Sequence, residues 1–258
     1  MIKVSHLRKE YELNRQQRKE LNTDQRLSVA VEDVSFECQP GRVFSLLGPN
    51  GAGKTTTLRM LATISKPTSG SVHIAGIDAQ KEPQNARKKI GFLTGSTGLY
   101  ARLTPNELIS YFGSLYGVDK DTITQRKLML YDLLDMHDFQ NKRIGKLSTG
   151  MKQKVSICRT MIHDPEVLIF DEPTSGLDVI TAENIIKLIQ SCKEEGKTVI
   201  FSSHIMSEVD LLCDDLAIID KGNLLFSGTM ESFRGNMMET NLTSEFIRII
   251  QDHRKIIA

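Results

Sequence analysis

The 258 residues suffice for one large folded domain, or for a compact core with an inserted lobe. With 40% hydrophobic and 25% charged residues, the composition is that of a globular protein, which excludes a disordered chain and a small disulfide-stapled fold. The 33 Lys and Arg residues nearly balance 32 Asp and Glu residues, so the formal net charge of +1 provides no overall field for nucleic acid or anionic lipid. We therefore expect no nucleic-acid partner.

The cysteines indicate reduced thiols, and the hydropathy pattern gives no sign of a membrane-spanning helix. Four cysteines form no closely spaced pair and lie mostly within apolar stretches, as reduced core thiols do, so no metal site is expected on them. They are Cys38, Cys158, Cys192 and Cys213. No segment approaches the ~20 apolar residues of a membrane-spanning helix, and the amino terminus lacks the apolar stretch of a secretory signal. If the protein works at a membrane, we therefore expect it to do so as a soluble subunit docked there.

The first unit predicted along the chain is a strand, a loop and a helix. Val43–Leu47 is a short apolar run, and the glycine-rich residues 48–53 follow it. Leu58, Leu61 and Ala62 then recur on one helical face. A phosphate-binding loop requires this order of elements.

Residues 94–163 are predicted to form an inserted helical lobe, because their apolar residues recur at helical spacing. Thr104, Pro105 and Glu107 are typical of an N-cap, a first-turn proline and a capping-box acid, and Gly117 is expected to end this helix. Its apolar face is expected to carry Leu108, Phe112 and Leu115. A second helix is predicted near residues 125–134.

A third helix is predicted after Ser148, ending at Asp164 and Pro165. One side of it is expected to present Met151, Val155, Cys158 and Ile162.

Strand-like runs return at residues 167–170, 198–201 and 216–219, with a helix predicted over residues 182–195 between the first two. Continuous apolar strands separated by helices indicate a parallel sheet covered on both faces, so the predicted fold class is α/β. The polar, basic insertion at residues 14–26 and the tail at residues 236–258 are interpreted as solvated surface or simple packing.

Residues 48–55 match the pattern G-x-x-x-x-G-K-[ST] in full, and their place between a strand and a helix suits a loop that cradles phosphates. The glycines let backbone N–H groups turn toward phosphate oxygens, Lys54 supplies charge, and Thr55 offers a hydroxyl to magnesium. The predicted nucleotide-binding residues of this loop are Gly48, Pro49, Asn50, Gly51, Ala52, Gly53, Lys54, Thr55 and Thr56. By itself this loop predicts a nucleotide triphosphatase or a kinase, with Mg²⁺ bound beside the nucleotide.

Two adjacent carboxylates follow the buried strand at residues 167–170. Asp171 is predicted to hold magnesium, and Glu172 is predicted to polarise the attacking water as the general base. The alternative is that these two acids merely begin a surface turn before Pro173.

Residues 147–151 read Leu-Ser-Thr-Gly-Met and resemble the ABC signature sequence, and residues 175–178 look like the D-loop that follows it. His204, just past a predicted strand, is similar to the family's switch histidine. The order of these motifs identifies the chain as similar to ABC ATPases. The resemblance implies a P-loop NTPase (RecA-like) core with a parallel sheet, an N-terminal antiparallel β portion and an inserted α-helical subdomain.

The resemblance also implies two cassettes that sandwich two ATP molecules head to tail. Ser148 and Gly150 would face the γ phosphate held by the partner's loop, Asp178 would cross the interface, and His204 would contact the same phosphate. Tyr11 looks like the aromatic that stacks on adenine, with packing in the core or on the surface as its alternative. For His204 the alternative is an ordinary residue at a helix start.

The chain departs from the family pattern in two places. Most members have a glutamine after the strand that corresponds to residues 90–93, and Gly95 stands nearest to that position here. Thr94, Ser96 or Thr97 could offer a hydroxyl instead, or a water molecule could fill the gap. Thr149 and Met151 replace the signature's second glycine and its glutamine, whereas the residues expected to touch phosphate are kept.

The chain looks most like the sodium-exporting members of the family at Gly95 and at residues 98–100, 103–107 and 147–154, with drug and polysaccharide exporters as broader relatives. This implies export through a separate membrane-spanning permease, with sodium ions as the expected cargo and a homodimer of ATPase subunits peripheral on the cytoplasmic inner face of the membrane. The alternatives are a regulatory cassette that binds ATP with little turnover, and a soluble cassette with no role in transport. The expected parts of this single domain are a core at 1–93 and 164–235, a helical subdomain at 94–163 and a tail at 236–258.

Overall fold

The computed structural model describes residues 1–20, 22–94 and 98–256, which form ten strands and ten α-helices. The strands are β1 (Ile2–Glu12), β2 (Leu27–Cys38), β3 (Val43–Leu47), β4 (Ser69–Ile74), β5 (Ile77–Asp78), β6 (Ile90–Leu93), β7 (Val167–Asp171), β8 (Thr198–Ser203), β9 (Asp215–Asp220) and β10 (Asn223–Thr229). The helices are α1 (Arg15–Glu20), α2 (Lys54–Leu61), α3 (Pro83–Lys88), α4 (Pro105–Leu115), α5 (Lys120–Leu133), α6 (Thr149–Met161), α7 (Val179–Glu194), α8 (Met206–Leu212), α9 (Met230–Gly235) and α10 (Leu242–Ile256).

All ten strands of the described chain join in one sheet, in the order β5-β4-β1-β2-β10-β9-β3-β8-β7-β6. The half made of β9, β3, β8, β7 and β6 is parallel, and the half made of β5, β4, β1 and β2 is antiparallel. Strand β10 runs antiparallel to β9 and touches β2 through the pair Asn223 and Asp33. Helices α4, α5 and α6 lie between β6 and β7 in the chain. The predicted α/β class, with its antiparallel portion and helical insertion, is confirmed.

The central parallel strands are buried along their whole length, which explains their continuous apolar sequence. In β3, Val43 and Leu47 point into one buried cluster, and Phe44 and Leu46 point into another on the opposite face of the sheet. Because these strands are parallel, their polar carboxyl ends lie at the same edge of the sheet, where the loops of the site begin.

The capping box predicted at the start of α4 is present. The Thr104 hydroxyl accepts from the Glu107 backbone N–H at 3.2 Å, and the Glu107 carboxylate accepts from the Thr104 N–H at 2.8 Å. Leu108 is buried as expected, but Leu115 is 61% exposed, so its predicted place on the apolar face is wrong. Leu115 lies on the same side of the helix as Leu108, but it is the last residue of α4 and follows Gly113, the last buried position of this helix, which packs against Ile123 of α5.

The second and third helices of the lobe are both present. Helix α5 begins five residues before the predicted start, because Asp119 caps it by accepting from the Thr122 N–H at 2.9 Å. Its first turns are mostly exposed and polar, so no apolar period marks them. Helix α6 buries Val155 and Cys158 as predicted, Ile162 directly after it is also buried, and Met151 is partly buried. Helix α7 begins three residues before its predicted start, at the cap formed by Asp178.

The insertion at residues 14–26 contains the short helix α1, between the hairpin strands β1 and β2. The tail contains α10, which buries Ile250 and Glu245 against the rest of the chain. None of the helices within the described ranges has both the length and the hydropathy needed to cross a membrane.

Candidate functional site

The loop between β3 and α2 has two glycines that no other residue could replace without movement. A Cβ on Gly48 would lie 2.3 Å from the Ile219 carbonyl oxygen, and one on Gly53 would lie 2.5 Å from the Ala30 carbonyl oxygen. Gly53 also has φ of +108°, in the region that favours glycine. The loop is therefore pressed against β9 and β2, and its backbone can approach a ligand closely.

A cavity of 190 Å³ lies over this loop. Its lining includes eight of the nine predicted loop residues, together with Glu172 from the end of β7 and Ala30 from β2. The eight are Pro49, Asn50, Gly51, Ala52, Gly53, Lys54, Thr55 and Thr56. Helix α2 begins at Lys54, so its free backbone N–H groups and positive dipole end point toward the cavity. The cavity suits an anion with several oxygens, as a polyphosphate has.

Lys54 is almost enclosed, with 5% of its side chain exposed. Its Nζ donates to the carbonyl oxygens of Gly48 at 2.6 Å and Pro49 at 3.2 Å, and lies 3.8 Å from Glu172 Oε1. Burial lowers the pKa of Lys54, while the nearby carboxylates of Glu172 and Asp171 oppose that shift. Because Glu172 Oε1 lies 3.8 Å from Nζ, too far for a direct hydrogen bond, a bound phosphate group would give this buried cation an anionic partner in direct contact.

Asp171 is held by two hydroxyl donors. The Thr55 Oγ1 donates to Asp171 Oδ1 at 3.0 Å, and Ser202 Oγ donates to the same oxygen at 2.8 Å. Ser202 Oγ also accepts from the Glu172 backbone N–H at 3.0 Å. The hydroxyl of Thr55 and the carboxylate of Asp171 are hard oxygen donors, which Mg²⁺ prefers, and Mg²⁺ commonly takes its other ligands from water and phosphate. The donor set therefore fits Mg²⁺ bound with a nucleotide.

Across the described residues, no cluster of three or more His, Cys, Asp or Glu side chains could hold a metal ion.

Glu172 and His204 meet beside the cavity. Glu172 Oε1 lies 3.5 Å from His204 Nδ1, and the two side chains are 30% and 51% exposed. Glu172 has φ of +49°, a left-handed conformation that a non-glycine residue adopts at some energetic cost. This backbone turn aims its carboxylate from the strand end toward Lys54, where a water molecule could reach it.

The signature and D-loop residues lie together but away from this cavity. Ser148 caps α6 by accepting from the Met151 N–H at 3.3 Å, and its side chain is exposed. Asp178 caps α7, and hydrogen bonds from the Thr181 N–H and hydroxyl, both 2.9 Å, lower its pKa. A Cβ on Gly150 would lie 3.6 Å from Asp178 Oδ2. These residues form one surface, and none of them lines the cavity over the chain's own loop.

Tyr11 is 42% exposed and is not among the residues that line the cavity. The Lys9 ammonium lies over its ring, 4.9 Å from the ring centre, so Lys9 and Tyr11 share a face of β1. Lys9 pairs with Val31, whose Cγ2 would lie 3.5 Å from a Cβ on Gly53. Tyr11 itself pairs with Ser28, after a register shift between Lys9 and Glu10. Its stacking on adenine stays a prediction.

Two residues near the site were missed in the sequence. Ser202 follows the predicted strand at residues 198–201, and β8 in fact continues to Ser203, so that Ser202 pairs with Asp171. Gln153 Nε2 donates to the Pro173 carbonyl oxygen at 3.0 Å, which links α6 to the loop just after Glu172. A polar residue at the carboxyl end of a buried parallel strand was the available signal for Ser202. Gly95, Ser96 and Thr97, where the chain departs from the family pattern, lie outside the described residues.

The family model described as ABC transporter matches residues 31–175. That range contains the loop, the signature and both carboxylates, and it covers more than half of the sequence. The chain belongs to the ABC transporter family. This ABC protein is accordingly a member of an ATPase family, as the motifs predicted.

Named relatives agree with this assignment. The ABC protein is 46% identical over 204 residues to the ABC transporter ATP-binding protein NatA of Bacillus subtilis, which covers 79% of this chain and 83% of NatA. It is 35% identical over 200 residues to the Nod factor export ATP-binding protein I of Cupriavidus metallidurans, covering 78% of this chain and 66% of that relative. The match thus spans most of NatA but slightly less than two thirds of the second protein.

A solved structure shows the same fold in a dimer. The structure is described as a dimeric post-hydrolysis state of the ATP-binding cassette MJ0796 bound to ADP and Pi. It superimposes on this ABC protein with a TM-score of 0.78 at 25% identity, covering 89% of this chain and 99% of that one.

Proposed function

We propose that the protein is the ATP-hydrolysing subunit of an ABC export system, which acts on a separate membrane permease. The observation that carries the proposal is that Lys54 and Glu172 line one cavity while Asp171 binds the loop through the Thr55 hydroxyl, on a chain of a known ATPase family. The three residues come from two different elements, so their convergence is a property of the fold and not of one motif.

In this proposal, the loop backbone and Lys54 bind the β and γ phosphates, while Thr55 and Asp171 hold Mg²⁺ through their oxygens. Bound Mg²⁺ would neutralise charge on the phosphate oxygens. Glu172 accepts a proton from the attacking water, and its position 3.8 Å from Lys54 keeps it near the γ phosphate. His204, 3.5 Å from Glu172, is placed to donate a hydrogen bond to that phosphate.

The homodimer is part of the same proposal. Ser148, Gly150 and Asp178 lie on a surface separate from the chain's own cavity, so a second copy would be needed to bring such a surface to the bound phosphate. The capped amino terminus of α6 directs free N–H groups outward, which suits a phosphate oxygen. The dimeric cassette described for MJ0796 supports this arrangement.

A membrane partner is supported by exposed apolar side chains on α4. Tyr111 is 49% exposed and Leu115 is 61% exposed on this helix, and Tyr100 before it is 57% exposed. We propose that the permease contacts this surface and that the protein sits on the cytoplasmic face of the membrane. Export as the direction is supported by the printed name of the Nod factor relative. Sodium as the cargo rests on the sequence resemblance alone.

The proposed parts of the chain remain those of the sequence prediction: a nucleotide-binding core at residues 1–93 and 164–235, a helical subdomain at residues 94–163 and a tail at residues 236–258. The placement of α4, α5 and α6 between β6 and β7 supports this division.

Phosphate release from MgATP by the purified protein, alone and with its permease in proteoliposomes, tests the proposal. We expect turnover by the wild-type protein and none by Lys54→Ala, and stimulation by the permease. Binding of ATP without any turnover in either preparation would indicate a regulatory cassette instead. Uptake of radioactive sodium into inverted vesicles tests the cargo separately.

The partner surface is tested by co-purification with the permease. Leu115→Asp is expected to abolish co-purification while leaving ATP turnover of the isolated subunit intact. Leu128→Asp, at a comparably exposed position on α5 (53%), is the matched control. Equal recovery of the permease with both variants would contradict the proposed contact.

A further inference from the structure

The C-terminal helix α10 is anchored to the end of strand β9 through Asp220, whose side chain is only 1% exposed. Arg254 donates two hydrogen bonds to this carboxylate, from Nε at 3.1 Å and from Nη2 at 3.0 Å, and His253 Nδ1 lies 3.3 Å from Oδ2. Although burial alone would raise it, these partners hold the pKa of Asp220 below its ordinary value. A buried carboxylate depends on such partners, so α10 and Asp220 are coupled.

Asp220 begins a tight turn. Lys221 and Gly222 both have positive φ, 48° and 80°, and they connect β9 to β10 as the two central residues of a hairpin that Asp220 and Asn223 close. The position of the turn is therefore tied to the position of the Asp220 backbone.

This turn packs directly against the phosphate-binding loop. The Gly222 N–H donates to the Ala52 carbonyl oxygen at 2.9 Å, and the Gly222 carbonyl oxygen accepts from the Glu32 N–H at 2.8 Å. A Cβ on Gly222 would lie 3.1 Å from the Ala30 carbonyl oxygen. Ala52 and Ala30 both line the nucleotide cavity. The turn thus lies behind the cavity and contacts two of its walls.

The residue before Asp220 also contacts the loop. Ile219 is so close to Gly48 that a Cβ there would lie 2.3 Å from the Ile219 carbonyl oxygen. Strand β9 runs parallel to β3, the strand that delivers the loop, with Ile218 opposite Leu47. The loop and the end of β9 therefore have no spare room between them.

We propose that Arg254 and His253 are positioning residues for nucleotide binding, which act through Asp220 and the turn at Lys221 and Gly222 on the phosphate-binding loop. The proposal rests on the assignment of that loop as the ATP site. The guanidinium of Arg254 fixes the carboxylate at two atoms, and the fixed turn holds the Ala52 carbonyl and the Ala30 segment in place. The loop is then already arranged for phosphate before ATP arrives.

The proposal gives the tail a role in the site although it lies outside residues 31–175, the range that the family model matches. The simpler alternative is that α10 only covers apolar surface, with Ile250 buried beneath it. A substitution of Arg254 distinguishes the positioning role from the covering role, because Arg254 is 47% exposed and buries little apolar surface. Only the positioning role connects that change to ATP affinity.

The test compares Arg254→Ala with Lys255→Ala in the full chain. Lys255 is in the same turn of α10, and its ammonium pairs with the exposed Asp252 at 3.1 Å rather than with β9. For Arg254→Ala we expect the KM for ATP and the calorimetric Kd for MgATP to rise about five- to tenfold, with kcat within twofold of wild type. Lys255→Ala should match wild type, and Arg254→Lys should recover part of the affinity.

A second measurement distinguishes positioning from folding. In the nucleotide-free protein, backbone hydrogen exchange over residues 48–56 and 219–224 should accelerate in Arg254→Ala and not in Lys255→Ala. A lower Tm for Arg254→Ala with unchanged Kd and unchanged exchange at these residues would overturn the proposal. Failure of the wild-type protein to bind MgATP would instead overturn the proposed function itself.

Discussion

The Thr55 hydroxyl donates to Asp171 Oδ1 at 3.0 Å and thereby joins the first turn of α2 to the end of β7. These residues are 116 positions apart in the chain. The phosphate-binding loop and the carboxylate pair lie at the same edge of the parallel sheet, because β3 and β7 both end there, one on each side of β8. Catalysis by these groups depends on this shared edge of the sheet.

Glu172→Gln is expected to lower the rate of ATP hydrolysis by at least about a hundredfold, because the amide cannot accept the proton of the attacking water. ATP binding should be kept, since Lys54 and the loop are unchanged. Phosphate release and calorimetric ATP binding measure the two effects. Glu166→Gln is the control, because Glu166 lies just before β7 and pairs with Lys89 on the surface. A Glu172→Gln protein with the wild-type rate would remove Glu172 from the role of general base.

Ser202→Ala is expected to weaken the dependence of ATP binding on Mg²⁺. Ser202 is fully buried and orients Asp171 Oδ1 from 2.8 Å, so its loss leaves the metal-binding carboxylate held by the Thr55 hydroxyl alone. The affinity for MgATP should fall about tenfold, whereas the affinity for ATP in EDTA should stay the same. The free energy of unfolding should fall by about 1 kcal/mol through the lost hydrogen bonds.

Ser203→Ala is the matched control for that experiment. Ser203 is the next residue of β8 and donates to Glu208 at 3.0 Å, on the other face of the strand. It should lose stability without any change in the Mg²⁺ dependence. The same loss of Mg²⁺ dependence in both variants would show that Asp171 is not the point of action.

Ser148→Arg is expected to prevent an ATP-induced dimer. In the Glu172→Gln background, where ATP is bound but not hydrolysed, light scattering coupled to size exclusion should show a dimer. Adding Ser148→Arg should return the protein to a monomer, because a bulky side chain at the exposed cap of α6 would block the partner's bound phosphate. Ser114→Arg, at an exposed position on α4, should leave the dimer intact. Persistence of the dimer in the Ser148 variant would contradict the head-to-tail arrangement.

Asp220→Asn is expected to destabilise the protein in a pH-dependent way. The folded-state pKa of Asp220 is lowered, so its stabilising effect is complete above the unfolded value of about 4 and is lost as the pH falls through the lower folded value. Urea unfolding at pH 7 should show a loss of about 1–3 kcal/mol relative to wild type. That difference should shrink as the pH is lowered below about 4. A difference that stays constant over this range would mean that the charge of Asp220 does not contribute.

Much of the local structure was predictable because it depends on neighbours in the chain. The cap of α4 needs only Thr104 and Glu107, three residues apart, and the phosphate-binding loop needs only its own glycines and Lys54. The start of α5 and the exposure of Leu115 were not predicted, because the first lacks an apolar period and the second depends on where α5 packs against Gly113.

The sequence by itself determined the fold class, the family, the loop and the carboxylate pair, because each depends on residue types at short, regular spacing. Only the tertiary structure decided that Ser202 holds Asp171 and that Arg254 reaches Asp220, 34 residues away, behind the phosphate-binding loop. Such contacts depend on the order of strands in the sheet and on where a helix returns to it. No local pattern encodes that order, since loops of many lengths can connect the same strands.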